Sequence, residues 1–161
     1  TLNVLELAMV VIPRYPEVSL DLVLAGIFFH DIGKTAELSY ETSFSYTDGG
    51  QLVGHIVQAT IWIEQACNRV AEETGKPFPD DIKLALQHIV VAHHGQYDFG
   101  SPKLPAMPEA IAVHYLDNLD AKLYSFLREI RNADNPDSNF TDYVRSLETK
   151  VYKKDVMGIR K

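Results

Sequence analysis

The sequence predicts an all-α fold, a bundle of about six helices built around an interior polar site. Two observations carry the prediction. Apolar residues recur at helical spacing along most of the 161 residues. The stretches between are punctuated by proline and glycine, with capping residues beside them.

Leu2, Leu5, Met9 and Ile12 mark the first helix, which stops at Pro13. Pro13 and Pro16 make the next stretch a turn. Ser19 is a suitable N-cap for a helix running through Ala25 to Asp31, and Gly33 stands where a helix ends. Residues 35–50, rich in Thr, Ser, Tyr and Gly, have no helical period and read as a loop. Asp48-Gly49-Gly50 precedes a long helix from about Gln51 to Thr74, stopped by Gly75. Pro77 and Pro79 form a stiff linker, after which Asp80 or Asp81 caps a helix leading to His93-His94. A loop follows from Gly95 to Pro105. Pro108 and Glu109 suit the first turn of the next helix, which runs to about Ile130 and ends at Asn135-Pro136-Asp137. A shorter helix near Thr141 to Lys150 closes the fold.

The composition, 46% apolar and 23% charged, is that of a folded domain and excludes a disordered chain. The length suits one domain, residues 1–161, with a real core. No apolar run is long enough for a membrane span, and no signal-peptide pattern stands out. The single cysteine, Cys67, sits in an apolar helical pattern. It forms no disulfide within the chain, so the expected compartment is the reducing cytoplasm. Its reading is a small buried filler rather than a nucleophile. A net charge of −7 argues against tight non-specific binding to nucleic acid, although bound divalent ions would supply positive charge where a phosphate needs it. Lys153, Lys154, Arg160 and Lys161 make the tail basic, as a solvated terminus often is.

The chemistry is concentrated in His30-Asp31, which ends an apolar run and is followed by Gly33-Lys34. An ionised carboxylate beside an imidazole is costly to bring to a core unless a positive charge binds it. His55, His93-His94 and Asp117 extend the set, which suits one or two divalent cations drawn from Mn, Fe, Co, Ni, Zn or Mg. These residues fall on four different helices, and a bundle can converge such side chains on an interior point. His93 and His94 point about 100° apart on a helix, so either both ligate or one only hydrogen-bonds. His114 shares a face with Asp117 and either orients it or simply packs. Gln96, Tyr97, Phe99 and Ser101 either line a nucleotide pocket, with an aromatic ring stacked on a base, or merely cover the core. Asp120 and Lys122 read either as support and substrate contacts or as a solvated helix face. His88 reads as structural.

Taken in order, His30-Asp31 with Gly33-Lys34, then His55, His93-His94 and Asp117, resemble the HD superfamily of metal-dependent phosphohydrolases. Four longer blocks are similar to the C-terminal domain of the YhaM-type 3′-to-5′ exoribonucleases. They are Gly50-Gln51-Leu52-Val53-Gly54-His55-Ile56, Ala92-His93-His94-Gly95-Gln96, Phe99-Gly100-Ser101-Pro102, and His114-Tyr115 through Asp117 to Leu119-Asp120-Ala121-Lys122. The resemblance implies an HD helical bundle whose metal, manganese first, activates water for attack on a phosphodiester. The implied substrate is a nucleotide or a single-stranded RNA 3′ end. It implies that Asp31 bridges two metals, with His30 and Asp117 on the first and His55, His93 and His94 on the second. Lys34 would contact the phosphate, with Gly33 leaving room for backbone to approach it. Of the two readings open for each, Gln96, Tyr97, Ser101 and Lys122 are taken as substrate contacts, and His114 and Asp120 as supports of the ligands. Family members carry a further histidine ligand in a Glu-His-Thr-Leu context. Here it would fall just before Thr1, so an N-terminal portion with that histidine and an upstream OB-fold domain is expected in the longer protein. The rival readings are a small-nucleotide phosphohydrolase or cyclic-dinucleotide phosphodiesterase, a dinuclear-iron oxygenase, and a non-catalytic nucleotide-binding module.

Overall fold

A computed structural model describes residues 1–40 and 44–159. Part of the expected 35–50 loop and the basic pair Arg160-Lys161 lie outside the described residues. The fold is helical, as expected, with two small antiparallel strand pairs. It resolves into two compact units, Thr1–Asn118 and Leu119–Lys161.

The first unit begins with α1 (Leu2–Val11), closed by a 3-10 turn at Ile12–Arg14 that Pro13 enters. Helix α2 (Leu20–Phe29) is N-capped as the sequence predicts, the Ser19 hydroxyl accepting from the Leu22 N–H. The Ser19 N–H in turn donates to the buried carboxylate of Glu109, at the start of α7 (Pro108–Arg131). Helix α5 (His55–Thr74) ends at Gly75 in the left-handed conformation, and α6 (Asp80–Ala92) starts on its two aspartates, with Pro79 at the cap.

Two apolar clusters hold these helices together. Val4, Ala8, Ile12, Val23, Ile27, Ile89, Ala110, Val113 and Leu116 join α1, α2, α6 and α7. Ile56, Ala59, Ile63, Cys67, Leu86 and Val90 join α5 to α6. Helices α2 and α6 cross closely at Gly26, where a Cβ would stand 2.7 Å from Ile89 Cγ2.

Three expectations need correction. Residues 35–50 are not simply a loop: they include most of a helical turn α3 (Lys34–Glu37), a strand pair β1 (Leu38–Ser39) and β2 (Ser45–Tyr46), and the start of α4 (Asp48–Leu52). The single helix expected from Gln51 to Thr74 is broken, because Gly54 adopts φ +77°, which no α-helix admits. His55 therefore opens α5. The closing helix is instead a hairpin in the second unit, β3 (Phe140–Val144) paired with β4 (Thr149–Tyr152). Its β-branched and aromatic residues fit a strand surface, Glu148 turns at φ +53°, and Thr141 Oγ1 accepts from the Val151 N–H beside a register shift.

Candidate metal centre

Helix ends position the site. His30 is the C-cap residue of α2 and His93 that of α6, His55 is the first residue of α5, and Asp117 lies inside α7. The fold brings all six expected ligand residues together. His30 Nε2 lies 3.5 Å from Asp31 Oδ2 and 3.5 Å from Asp117 Oδ1. The other oxygen of Asp31, Oδ1, lies 3.6 Å from His55 Nε2 and 3.8 Å from His93 Nε2. Ligand atoms of His55, His93 and His94 all fall within 4.8 Å of one another. The carboxylate of Asp31 thus turns one oxygen to each of two groups of ligands.

These separations are long for hydrogen bonds. They are close to those of donors that share an ion: two atoms each about 2.1 Å from one cation stand roughly 3.0–3.6 Å apart. Two atoms in the cluster, Asp31 Oδ1 and His55 Nε2, are buried without a hydrogen-bond partner. Buried acceptors left unpaired cost about 1–3 kcal/mol each. A cation between them would satisfy both, so the donor set fits a divalent metal.

The tautomers are fixed from behind. The Nδ1–H groups of His30, His93 and His94 donate to the carbonyls of Ile27, Val90 and Phe99 at 2.6, 2.6 and 2.7 Å. A carbonyl can only accept, so in each neutral ring the lone pair is on Nε2. Burial pushes the His93 pKa down to about 3, and the ring is neutral at pH 7. Burial also opposes a charge on His30. The nearby carboxylates of Asp117 and Asp31 outweigh it, and the His30 pKa is raised. Asp31 is pulled below the usual carboxylate range, since the charges of His30 and Lys34 overcome its burial. The nearness of His30 holds Asp117 low as well. The cluster favours a positive charge at its centre, which a dication supplies more fully than a proton.

The other expected site residues divide. Lys34 Nζ sits on Asp31 Oδ2 at 2.6 Å and remains partly exposed. Gly33 does not make room for a phosphate; it makes room for α5, because a Cβ there would stand 2.1 Å from the His55 carbonyl oxygen. Ser101 is no substrate contact: it is buried, and its hydroxyl reaches the carbonyls of Val91 and Lys103, pinning the loop after α6. Tyr97 and Phe99 on that loop are exposed, and the Gln96 carbonyl accepts from the Phe99 and Ser101 N–H groups. His114 donates to the His93 carbonyl at 2.8 Å, so it supports the His93-His94 turn. Gly95 completes that turn at φ +78° and leaves no room for a Cβ against the His114 ring. His88 accepts from the Ala106 N–H, a structural contact as expected. Asp120 and Lys122 belong to the second unit.

One residue of the site has no counterpart in the sequence reading. Glu37 Oε2 accepts from His55 Nδ1 at 3.0 Å, and its Oε1 accepts from the His55 backbone N–H at 3.2 Å. It was hidden inside residues read as loop. Its one sequence signal is an acidic residue one helical turn after Lys34.

Comparison with known proteins agrees with this geometry. Residues 1–122 match the family model of the HD domain. The chain is 38% identical over 156 residues to the 3′-5′ exoribonuclease YhaM of Geobacillus sp. (strain WCH70), covering 97% of the chain and 46% of that relative. It is 38% identical over 152 residues to the YhaM of Bacillus subtilis (strain 168), covering 94% of the chain and 46% of that relative. The chain therefore spans about half the length of the curated relatives it matches. No solved structure matches it significantly. No helix among the described residues is long and apolar enough to cross a membrane. A family match over three quarters of the sequence shows that the chain belongs to the HD-domain family.

Proposed function

We propose that this domain is a metal-dependent phosphohydrolase that cleaves phosphodiester bonds at single-stranded RNA 3′ ends, releasing nucleotides in the 3′-to-5′ direction. The observation that carries this reading is the Asp31 carboxylate, with one oxygen toward His30 and the other, buried and unpartnered, toward His55 and His93. His30, Asp31 and Asp117 would hold one cation. His55, His93, His94 and the second oxygen of Asp31 would hold another. Bound divalent ions supply neutralisation of phosphoryl charge and a more acidic water at neutral pH. Manganese is the first choice among metals that take imidazole and carboxylate together.

The chain's own residues do the rest. Lys34 reaches the site on a flexible stem with its ammonium partly in solvent. It offers a point charge to a non-bridging phosphate oxygen once Asp31 is engaged elsewhere. Tyr97, exposed on the loop that binds His94 through the Phe99 carbonyl, offers a stacking face to the terminal base. Gln96, on the same loop, is a further contact for the nucleotide. The similarity to proteins named as 3′-5′ exoribonucleases favours RNA over free nucleotides.

The test pairs metal analysis with hydrolysis of a 5′-labelled single-stranded RNA, comparing wild type with Asp31→Asn and His93→Ala. Wild type should retain divalent metal and shorten the RNA stepwise from its 3′ end. Each variant should lose metal and at least about a hundredfold in rate, the effect expected when a ligand set is disrupted. A variant that cleaves as fast as wild type would overturn the assignment. Turnover of cyclic dinucleotides with no trimming of RNA would move it to the small-nucleotide reading.

A further inference from the structure

We propose that Glu37 is a positioning residue that sets the cation affinity of the His55–His93–His94 position by acting on the far nitrogen of His55. The inference rests on the metal-centre reading above and deepens it. The imidazoles of His30, His93 and His94 are each anchored at Nδ1 by a neutral main-chain carbonyl. His55 is anchored at Nδ1 by a carboxylate.

The grip is double. One oxygen of Glu37 takes the ring N–H and the other takes the backbone N–H of the same residue, at 3.0 and 3.2 Å. The position and the ring plane of His55 are therefore set together. Glu37 is itself held. Its carbonyl accepts from the Thr47 N–H at 2.9 Å, and a Cβ on Gly50 would stand 2.4 Å from that same oxygen. The α3 turn and the α4 cap close around this one side chain, which is only 11% exposed.

The consequence is electronic as well as geometric. A carboxylate that accepts an imidazole N–H makes the opposite nitrogen a stronger donor to a metal than a carbonyl does. In His55 that opposite nitrogen is the buried, unpartnered Nε2 aimed at Asp31. The two cation positions also differ in charge. One has the carboxylates of Asp31 and Asp117 beside His30. The other has three imidazoles and a share of Asp31. Glu37 supplies negative charge to the poorer position without occupying a coordination place.

The experiment is calorimetric titration of the intact protein with Mn²⁺ or Co²⁺ alone, comparing wild type, Glu37→Gln and Glu37→Asp, with His55→Ala as the reference for a lost position. Thermal unfolding in chelator is run in parallel. The expected result for Glu37→Gln is a loss of about 10–100-fold in affinity at one position with the other unchanged, and partial recovery in Glu37→Asp. A lowered melting temperature in chelator with both affinities intact would mean a helix cap and nothing more, and would overturn the proposal. Nitrogen-15 spectra of the wild-type histidines give a readout independent of the variants. They should find His55 protonated at Nδ1, and an Nε2-protonated ring would overturn the proposal. Wild type that binds no cation would overturn the metal reading together with this one. Wild type that binds while Glu37→Gln binds equally would overturn this one alone.

Discussion

The Lys34 ammonium donates to Asp31 Oδ2 at 2.6 Å, and this pairing bears on both metal and substrate. A cation on Asp31 Oδ2 would compete with the ammonium and free it to meet a phosphate. Replacing Lys34 by Gln should leave metal stoichiometry unchanged and raise KM for RNA about tenfold or more, the worth of one charge-assisted hydrogen bond. Steady-state kinetics beside metal analysis would check this, and a lost metal with unchanged KM would contradict it. Cys67 gives a second residue-scale prediction. Burial, then the charge of Glu64, pushes its thiol pKa up. Alkylation of the native protein should be slow at pH 8, should quicken only as pH rises beyond the ordinary thiol range, and should become fast on unfolding. At this scale the clustered side chains are legible as candidate ligands, because histidines and aspartates at apolar helix ends have few structural uses. Glu37 was not, because nothing in a polar stretch without period singles out one carboxylate. Ser101 is open to two readings for the same reason: a hydroxyl in a loop looks alike whether it faces solvent or ties down the main chain.

Helix starts and helix ends decide where the ligands stand. Gly33 passes so near the first residue of α5 that a methyl group would overlap the His55 carbonyl. Gly33→Ala should push α5 outward, cost about 1–3 kcal/mol of stability, and weaken metal binding along with it, which denaturant unfolding and metal titration would measure together. At the opposite end of α2 from His30, Ser19→Ala removes the cap and should cost about 1 kcal/mol without touching metal affinity. The caps and stops at Ser19, Gly75 and Pro108 could be read from sequence because each is a local rule with a local cause. Gly54 could not. No local pattern announces its positive φ, and periodicity alone carries the pattern of α5 straight through it. The hairpin was lost differently: residues 141–150 are too few for helix and strand periods to separate clearly.

Across the whole chain, burial is uneven. The first unit encloses two apolar clusters, whereas among the described residues of the second unit Val151 is the one buried apolar side chain. Hydrogen exchange should therefore show strong protection in α2 and α6 and weak protection in the β3–β4 hairpin, since local opening costs least where least apolar surface is covered. Equal protection in both would contradict this. The helical class was legible because class follows from period summed over many residues, while the division into units depends on which faces find partners. Three rings of the candidate centre take their orientation from main-chain oxygens at Ile27, Val90 and Phe99. Every amino acid carries that oxygen. Evolution is thus free to exchange the side chains at these three places, within the limits of packing, and the pocket keeps its aim. Its orientation is inherited from backbone shape.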